Sequence, residues 1–241
     1  MVPLVQYYPT NRVGRTFAAG DVHSCYNQLR MLLDAVNFDF SKDVLYQTGD
    51  LLNRGPDPLR CLALLDEPWF RSVQGNHEAE LINAANDYFY NWDHFVRHGA
   101  RWARDLPRDK LLDIARKLKR LPCVIVVGEG NERFNVFHGE WHASDAKLDE
   151  LNGKRWPPVT LMDGRDLIYG RVSPDLHAGL SPSFVGHTIV KRPKMIGSHI
   201  YLDTGSYHGH FDHHNPSGIS MIEVATQQVW QYSKGKVIRT A

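Results

Sequence analysis

Five short apolar segments of this chain each run directly into a glycine and side chains of the kinds that bind metal ions. The polar groups after the segments are Gly20-Asp21-Val22-His23, Gly49-Asp50, Gly75-Asn76-His77, His138-Gly139 and Gly186-His187. Apolar segments of this length are typical of buried strands. Because ligands bind outside the carboxyl ends of strands in open α/β sheets, the pattern predicts one polar site built from five strand ends.

The second polar group is central to this prediction. It follows residues 44–48, an apolar segment that we interpret as a buried strand. Downstream, Asp57 is suited to cap a helix that has Pro58 in its first turn. Asp50 is therefore expected in a strand-to-helix loop, where the glycines on either side allow a tighter backbone than other residues do.

The first polar group has the spacing of a chelating pair. Asp21 and His23 alternate with Val22, so an extended backbone would point both side chains in one direction. By itself, an Asp-x-His or Gly-Asn-His sequence more often belongs to a turn than to a metal site. The hypothesis of a metal centre therefore depends on all five groups occurring together and in order.

Together the groups resemble the motifs of the calcineurin-like metallophosphoesterases, which are D-x-H, G-D-x-x-D-R-G, G-N-H-[ED], a later H and G-H-x. The resemblance extends from about residue 14 to 232 and is strongest toward the bacteriophage-type serine/threonine protein phosphatases. It implies an α/β fold, a four-layer α/β/β/α sandwich of the metallo-dependent phosphatase type. The metal ions would lie at one end of the two central sheets.

The resemblance also implies a ligand set for two divalent transition-metal ions. Asp21 and His23 would hold one ion, Asn76, His138 and His187 would hold the other, and Asp50 would bridge them. Carboxylate, imidazole and amide ligands suit Mn²⁺, Fe or Zn²⁺ better than Mg²⁺ or Ca²⁺, and Mn²⁺ is the expected cofactor. Two ions about 3.5–4 Å apart would allow a metal-bound hydroxide to attack phosphorus directly, without a covalent intermediate.

Four further residues are implied to take part in catalysis or in substrate binding. Arg54 offers a planar, two-donor fork to phosphate oxygens, and Arg171 lies where phage-type enzymes carry a second arginine. His77 is implied to be the general acid that protonates the leaving oxygen. Asn53 stands where relatives usually carry the Asp that orients this histidine.

Two positions depart from the family pattern. The amide oxygen of Asn53 is able to accept the Nδ1 proton of His77, but it brings no charge, and a rotated amide would favour the other tautomer. Gln74 stands where the phage-type enzymes carry an arginine just before Gly-Asn-His-Glu. One phosphate-binding charge is therefore expected to be missing.

The composition is that of an ordinary globular protein, with 241 residues, 42% hydrophobic and 23% charged. We expect residues 1–241 to form a single metallophosphoesterase domain. A helical insert is expected at about residues 87–121, with helices over 92–104 and 108–119. Its aromatic side chains either line a substrate cleft or pack the insert onto the main body, and packing is the favoured interpretation.

Charge and cysteine content bear on partners and location. The net charge of +1 provides no broad electrostatic footprint for nucleic acid or membrane surfaces. The oligomeric state is left open by the sequence. Three cysteines without a C-x-x-C pair, and the absence of a signal peptide or a long apolar segment, favour a cytoplasmic protein. The expected partner is a phosphorylated protein or a nucleotide.

Three other segments carry less specific expectations. Residues 1–13, which contain Pro3 and Pro9, are expected to be an irregular lead-in. Residues 208–214 contain four histidines, for which a polar loop is favoured over a further metal site. Residues 191–194, Lys-Arg-Pro-Lys, either contact an acidic substrate or form a solvated loop, and the loop is favoured.

The expected function is hydrolysis of phosphomonoesters at a dinuclear metal centre, with phosphoserine and phosphothreonine in proteins as the favoured substrates. The alternative is a symmetrical diadenosine tetraphosphate hydrolase, because those enzymes also tend to lack the second Asp of G-D-x-x-D-R-G. A third hypothesis is a catalytically weakened protein that binds phosphorylated ligands, but the intact ligand set argues against it.

Overall fold

Two six-stranded β-sheets form the centre of the molecule. The computed structural model describes residues 4–87, 90–154, 156–174, 179–207 and 218–240. The strands in chain order are β1 (Val5–Tyr8), β2 (Thr16–Ala19), β3 (Val44–Gln47), β4 (Phe70–Ser72), β5 (Val124–Val127), β6 (Phe134–Phe137), β7 (Ser183–Val185), β8 (Lys194–Ile196), β9 (His199–Tyr201), β10 (Ser220–Glu223), β11 (Val229–Ser233) and β12 (Lys236–Thr240).

Helices cover the outer faces of the two sheets. In chain order they are α1 (Tyr26–Ala35), α2 (Pro58–Leu64), α3 (Asn76–Asn86), α4 (Trp92–Phe95), α5 (Arg101–Arg104), α6 (Arg108–Leu118), α7 (Asp145–Asp149) and α8 (Thr160–Asp163). A π-helical turn, Val96–Ala100, joins α4 to α5, and a 3-10 turn occupies Gly130–Glu132. Within the described ranges, no helix combines the length and the apolar character needed to cross a membrane.

Strand order explains how distant parts of the chain meet. Sheet I has the order β12-β11-β10-β2-β3-β4, in which β2, β3 and β4 are parallel. Sheet II has the order β1-β5-β6-β7-β9-β8, in which β6, β7 and β9 are parallel. Because parallel strands end at the same edge of a sheet, the loops after β2, β3 and β4 are neighbours, as are those after β6 and β7.

Alternating side chains of β5 show the order of the layers. Ile125 and Val127 pack between the two sheets, whereas Val124 and Val126 pack on the outer face of sheet II with residues of α7 and α8. Helices α1, α2, α3 and α6 cover the outer face of sheet I. The four-layer α/β/β/α sandwich is therefore confirmed, and β5 is a continuous apolar run because both of its faces are buried.

The segment between α3 and β5 packs onto the main body. Phe95 and Leu111 are buried in the same apolar cluster as α1, and Tyr90 and Trp102 are partly buried against it. Packing, which is the favoured interpretation of these aromatic residues, therefore accounts for most of them. Trp102 also contacts the candidate site, as described below.

The lead-in predicted for residues 1–13 is wrong over Val5–Tyr8, which forms β1. This strand pairs in parallel with β5, in a register from Val5↔Val124 to Tyr8↔Val127. The hydrogen-bond partners of β1 come from a distant part of the chain, so the local sequence gives little indication that a strand forms here. Similarly, β8 begins at Lys194, within the segment expected to be a loop.

Candidate metal centre

Three imidazole rings converge on one carboxylate oxygen. The Nε2 atoms of His138, His23 and His77 lie 3.4, 3.6 and 3.8 Å from Asp50 Oδ2. Asp50 Oδ1 instead accepts the backbone N–H of His77 at 3.0 Å. The three Nε2 distances exceed those of hydrogen bonds. The shortest two are close to the roughly 3–3.6 Å that separates two ligands bonded to one ion.

A second group of ligands lies beside the first. Asn76 Oδ1 is 2.9 Å from His138 Nε2 and 3.1 Å from His187 Nδ1, and these two nitrogens are 3.2 Å apart. Asp21 Oδ2 is 4.0 Å from His23 Nε2. The loops after β2, β3, β6 and β7 and the first turn of α3 thus bring all six implied ligands together.

Backbone carbonyls orient two of the histidines. His138 Nδ1 lies 2.8 Å from the carbonyl oxygen of Thr48, and His23 Nδ1 lies 3.1 Å from that of Leu52. A carbonyl oxygen only accepts hydrogen bonds, so both Nδ1 atoms donate and both Nε2 atoms face the cluster. This arrangement is common around histidine ligands of metals.

The buried carboxylates create a demand for positive charge. Asp21 and Asp50 are 1% and 3% exposed. Burial lowers the pKa of His138, but these two carboxylates outweigh burial and raise it to about 10. Burial and the charge of Asp203 raise the pKa of Asp21 well above its usual range. A divalent cation among these groups would satisfy the carboxylates, and the mixture of donors fits a transition-metal ion.

The backbone of the site is strained. In the described part of the chain, nine residues other than glycine have positive φ angles. Six of them belong to the loops of this site: His23, Ser24, Asp50, Asn53, Arg54 and His187, with φ between 44° and 71°. Such angles are uncommon for residues other than glycine and are concentrated at functional sites.

The extended backbone expected at the first polar group is not found. His23 has a φ of 44°, and its backbone N–H donates to the carbonyl oxygen of Asp50 at 2.9 Å. The next N–H, from Ser24, donates to Leu51 at 2.8 Å. Asp21 and His23 therefore face the same centre because two loops hydrogen-bond to each other, and not because a strand continues through them.

Glu78, the last residue of the Gly-Asn-His-Glu motif, organises the site, a role that was not predicted from the sequence. Its carboxylate accepts the backbone N–H groups of Asp50, Gly75 and Leu52 at 2.8, 2.9 and 3.2 Å. Burial and the charge of Asp50 raise its pKa to about 7, although these three donors favour the carboxylate. The available signal was its position, three residues after the Gly75 that precedes α3, which is the capping-box position.

The orientation of Asn53 differs from the expectation. The indole Nε1–H of Trp102 donates to Asn53 Oδ1 at 2.9 Å. Because an indole N–H only donates, the amide nitrogen must face His77, and Nδ2 lies 3.0 Å from His77 Nδ1. The amide therefore donates to Nδ1, and the neutral imidazole carries its proton on Nε2. Burial, which outweighs the charge of Asp50, lowers the pKa of His77 to about 4.

Arg54 is the implied substrate residue that lies beside the ligands. Its Nη1 donates to His23 Nε2 at 2.8 Å, and its guanidinium lies 4.9 Å from the ring centre of Tyr207. The backbone N–H of Arg54 donates to Gly99 at 3.0 Å. A Cβ atom at Gly99 would lie 2.6 Å from Arg54 N, so the close approach requires glycine.

Arg54 opens into a cavity of about 890 Å³ with a basic wall. The positively charged residues that line it are Arg54, Arg165, Lys191, Arg192 and Lys194, and His187 also lines it. Residues 191–194, expected to be a solvated loop, therefore face the space beside the candidate metal ligands. The cavity is suited to an extended anionic molecule.

Two predicted features lie elsewhere. Arg171 is 66% exposed and pairs with Asp166 at 3.2 Å, and it does not line the cavity. Arg165, which the sequence analysis missed, occupies the cavity wall instead. Gln74 donates to the carbonyl oxygens of Leu118 and Leu121, so it holds the end of α6 and does not face the cavity. The histidine-rich segment 208–214 lies outside the described residues.

Comparison with known proteins agrees with this geometry. Residues 14–188 match the family model described as calcineurin-like phosphoesterase. The chain belongs to the calcineurin-like phosphoesterase family. As a member of this family with phosphatase relatives, it is a metal-dependent phosphatase. Family membership and the Asp and His groups around Asp50, which we call the Asp50 centre, indicate that the protein binds divalent metal ions.

This calcineurin-like phosphoesterase is similar to proteins of two named activities. It is 30% identical over 196 residues to serine/threonine-protein phosphatase 2 of Salmonella typhimurium, covering 79% of this chain and 87% of the relative. It is 38% identical over 101 residues to a symmetrical bis(5'-nucleosyl)-tetraphosphatase of Proteus mirabilis, covering 41% and 32%. A crystal structure of a putative diadenosine tetraphosphatase shares the fold, with a TM-score of 0.68, 24% identity and 98% of both chains covered.

Proposed function

We propose that this phosphatase removes phosphate from phosphoserine and phosphothreonine in proteins. The observation that carries the proposal is the basic cavity, which begins at Arg54 and His187 beside the candidate metal ligands. Its wall of lysine and arginine side chains suits a phosphorylated, acidic peptide segment. The similarity to a serine/threonine-protein phosphatase over 79% of the chain supports the same assignment.

The proposed metal ligands are the six residues that the resemblance implies. Asp21 and His23 would hold one divalent ion, Asn76, His138 and His187 would hold a second, and Asp50 Oδ2 would bridge them. Mn²⁺ is the proposed metal for both positions. When bound, such ions polarise phosphoryl oxygens and lower the pKa of a nucleophilic water, which is the Lewis-acid chemistry that hydrolysis needs.

The chain's own residues would position the substrate. Arg54 is proposed to bind two non-bridging phosphate oxygens, which requires its guanidinium to turn from His23 Nε2 toward the cavity. Arg165 is proposed to contribute a second charge on the cavity wall in place of Arg171. His77 would donate a hydrogen bond from Nε2 to the leaving oxygen, in the neutral form that Asn53 supports.

A second candidate function is symmetrical hydrolysis of diadenosine tetraphosphate. The observation in its favour is the Asn53 amide, which donates to His77 and so disfavours the imidazolium form. A nucleotide phosphate leaves without protonation, whereas a seryl oxygen depends on it. The relatives of this activity match a shorter part of the chain, 41% for the Proteus mirabilis protein, so it remains second.

One assay separates these functions. The Mn²⁺-loaded protein is given a phosphoserine peptide, diadenosine tetraphosphate and p-nitrophenyl phosphate, and kcat/KM is measured for each. The proposal expects kcat/KM on the phosphopeptide to exceed that on the dinucleotide by at least about tenfold, which is 1.4 kcal/mol. The reverse order would assign the second function. Binding of the phosphopeptide without turnover of any substrate would support a weakened phospho-ligand binding protein.

A further inference from the structure

A second cluster of metal-binding side chains lies outside the Asp50 centre. It consists of Glu80 on α3, His94 on α4 and His98 on the following π-helical turn. Each residue offers one ligand atom, and the three atoms lie within 4.8 Å of one another. None of the three belongs to the five motifs that defined the first centre. We call these residues the Glu80 cluster.

The geometry of the Glu80 cluster resembles that of a small coordination site. His94 Nδ1 is 3.1 Å from Glu80 Oε1, and His98 Nδ1 is 3.3 Å from Glu80 Oε2. Two ligands bonded to one zinc ion at about 2.0–2.2 Å in a tetrahedron lie roughly 3.3–3.5 Å apart. The side chains therefore need only small rotations to share an ion.

Both histidines come from one helical face. His94 and His98 are four residues apart, so they are neighbours on the same side of the helical segment, and their ring centres lie 4.2 Å apart. The carboxylate that faces them is further held by Tyr90, whose hydroxyl donates to Glu80 Oε1 at 2.7 Å. The carboxylate is thus in place before any ion binds, which lowers the entropic cost of assembling the site.

Solvent reaches the cluster from one side. The side chains of His94 and His98 are 54% and 46% exposed, whereas that of Glu80 is 17% exposed. Three protein ligands with an open side match the pattern of a tetrahedral site whose fourth position is filled by water. Imidazole and carboxylate donors suit Zn²⁺ and its neighbours in the transition series.

We propose that Glu80, His94 and His98 form a metal site, separate from the Asp50 centre, that binds one divalent transition-metal ion such as Zn²⁺. The ion ties α3 to the helical segment that follows it. Since no residue of the site is a ligand of the Asp50 centre, the proposal does not depend on the proposed function.

The Glu80 cluster is connected to Arg54 and His77 through His98. His98 directly precedes Gly99, whose carbonyl oxygen accepts the backbone N–H of Arg54. The ring centre of His98 is also 6.3 Å from that of His77, which lies in the first turn of α3. An ion in the Glu80 cluster therefore holds the segment that supports Arg54 against the helix that carries His77.

The experiment counts zinc ions retained after dialysis in wild type and in His94→Gln/His98→Gln. Wild type is expected to retain about one zinc ion per chain more than the double variant. Asp93→Asn, which changes an exposed carboxylate of the same helix, is the matched control and should retain the wild-type number. Equal retention by wild type and the double variant would overturn the proposal.

Two further arms keep the result interpretable. The same pair of histidine changes is made in Asp50→Ala, where the difference of about one ion should persist whatever the Asp50 centre binds. Glu80→Gln, which keeps a partner for Tyr90 but removes the charge, should also lose one ion. If the double variant does not fold, Glu80→Gln tests the site instead. Zinc retention by Glu80→Gln at the wild-type level would then refute the site.

Discussion

At the scale of single residues, the amide of Asn53 sets the protonation state of His77. Trp102 holds the amide oxygen, so the amide nitrogen faces His77 Nδ1. An imidazolium would place an N–H against this NH₂ group, and burial already lowers the pKa of His77 to about 4. At neutral pH the side chain is therefore a neutral Nε2–H donor, which favours substrates with good leaving groups.

Asn53→Asp should convert this donor into a stronger acid. A carboxylate would accept from both Trp102 Nε1–H and His77 Nδ1–H, and its charge would raise the pKa of His77. The protonated form would then persist to higher pH, so the alkaline limb of the kcat profile should shift to higher pH. Turnover of phosphoserine relative to p-nitrophenyl phosphate should rise by up to about tenfold for one pKa unit, or 1.4 kcal/mol.

A pH–rate profile on both substrates tests this expectation. Asn37→Asp is the matched control, because Asn37 is an exposed asparagine with a similar positive φ of 48°, outside the loops of the site. If Asn53→Asp changes neither the alkaline limb nor the turnover of phosphoserine relative to p-nitrophenyl phosphate, residue 53 does not set the pKa of His77.

Asp50 is the residue on which metal binding should depend most. Its Oδ2 faces histidines of both proposed metal positions, His23 and His138. Asp50→Ala removes a ligand from each of these two ions, so the Mn²⁺ retained by the loaded protein should fall by more than about one ion per chain. Elemental analysis provides the count.

The control for this count is Asp43→Asn. Asp43 is also a buried carboxylate, but it pairs with Arg15 at 2.6 Å, away from the centre. This variant should keep the wild-type number of ions even if it is less stable, because no ligand is lost. Full occupancy in Asp50→Ala would remove the bridging role.

At the scale of elements, the connection from β7 to β8 serves two purposes. It begins with Gly186 and His187, and it continues into the basic residues Lys191 and Arg192 that line the cavity. Metal ligand and substrate wall are therefore joined by a few residues of one loop. Another part of the wall comes from the chain after α8, where Arg165 lies.

Arg165→Gln should weaken substrate binding, and Arg171→Gln should not. Arg165 lines the cavity and its charge helps to lower the pKa of His187, after the larger effects of burial and His138. Arg171 is exposed and pairs with Asp166. The KM for a phosphopeptide should rise about threefold to fivefold in Arg165→Gln, because an exposed charge contact contributes up to about 1 kcal/mol.

Steady-state kinetics of the two variants, measured side by side, decides between the two arginines. An increase in KM for Arg171→Gln, with none for Arg165→Gln, would restore the assignment that the resemblance implies.

At the scale of the whole molecule, the candidate centre spans both sheets. Asp21 and Asp50 follow strands of sheet I, whereas His138 and His187 follow strands of sheet II. The apolar layer between the sheets therefore sets the distance between the two halves of the ligand set. A change in that layer should affect stability and metal affinity together.

Phe184→Ala tests this coupling. Phe184 is fully buried between the sheets, and its ring centre lies 5.5 Å from that of Phe134. Removal of the ring should lower the free energy of unfolding by about 3–5 kcal/mol, as measured by denaturant titration, and it should weaken Mn²⁺ binding. Met195→Ala, at a 70% exposed position of β8, is the control and should change neither quantity appreciably.

The five strand-end groups, and the convergence of their polar side chains on one site, were predictable from the sequence. Each group follows directly after an apolar segment, and strand ends depend mainly on residues that are close in sequence. The same local signals predicted the five strands that precede these groups and the helices between α3 and β5. The family motifs then supplied the layered fold, which periodicity alone does not specify.

Several features of the site depended on contacts between distant residues. Trp102 fixes the amide of Asn53 from 49 positions along the chain, and β1 finds its partner only in β5. Contacts between distant residues also explain why Arg165 lines the cavity and Arg171 does not. They explain why residues 191–194 line the same cavity, and why the three residues of the Glu80 cluster meet. Such contacts depend on how elements pack in three dimensions, and packing leaves no periodic trace in the local sequence.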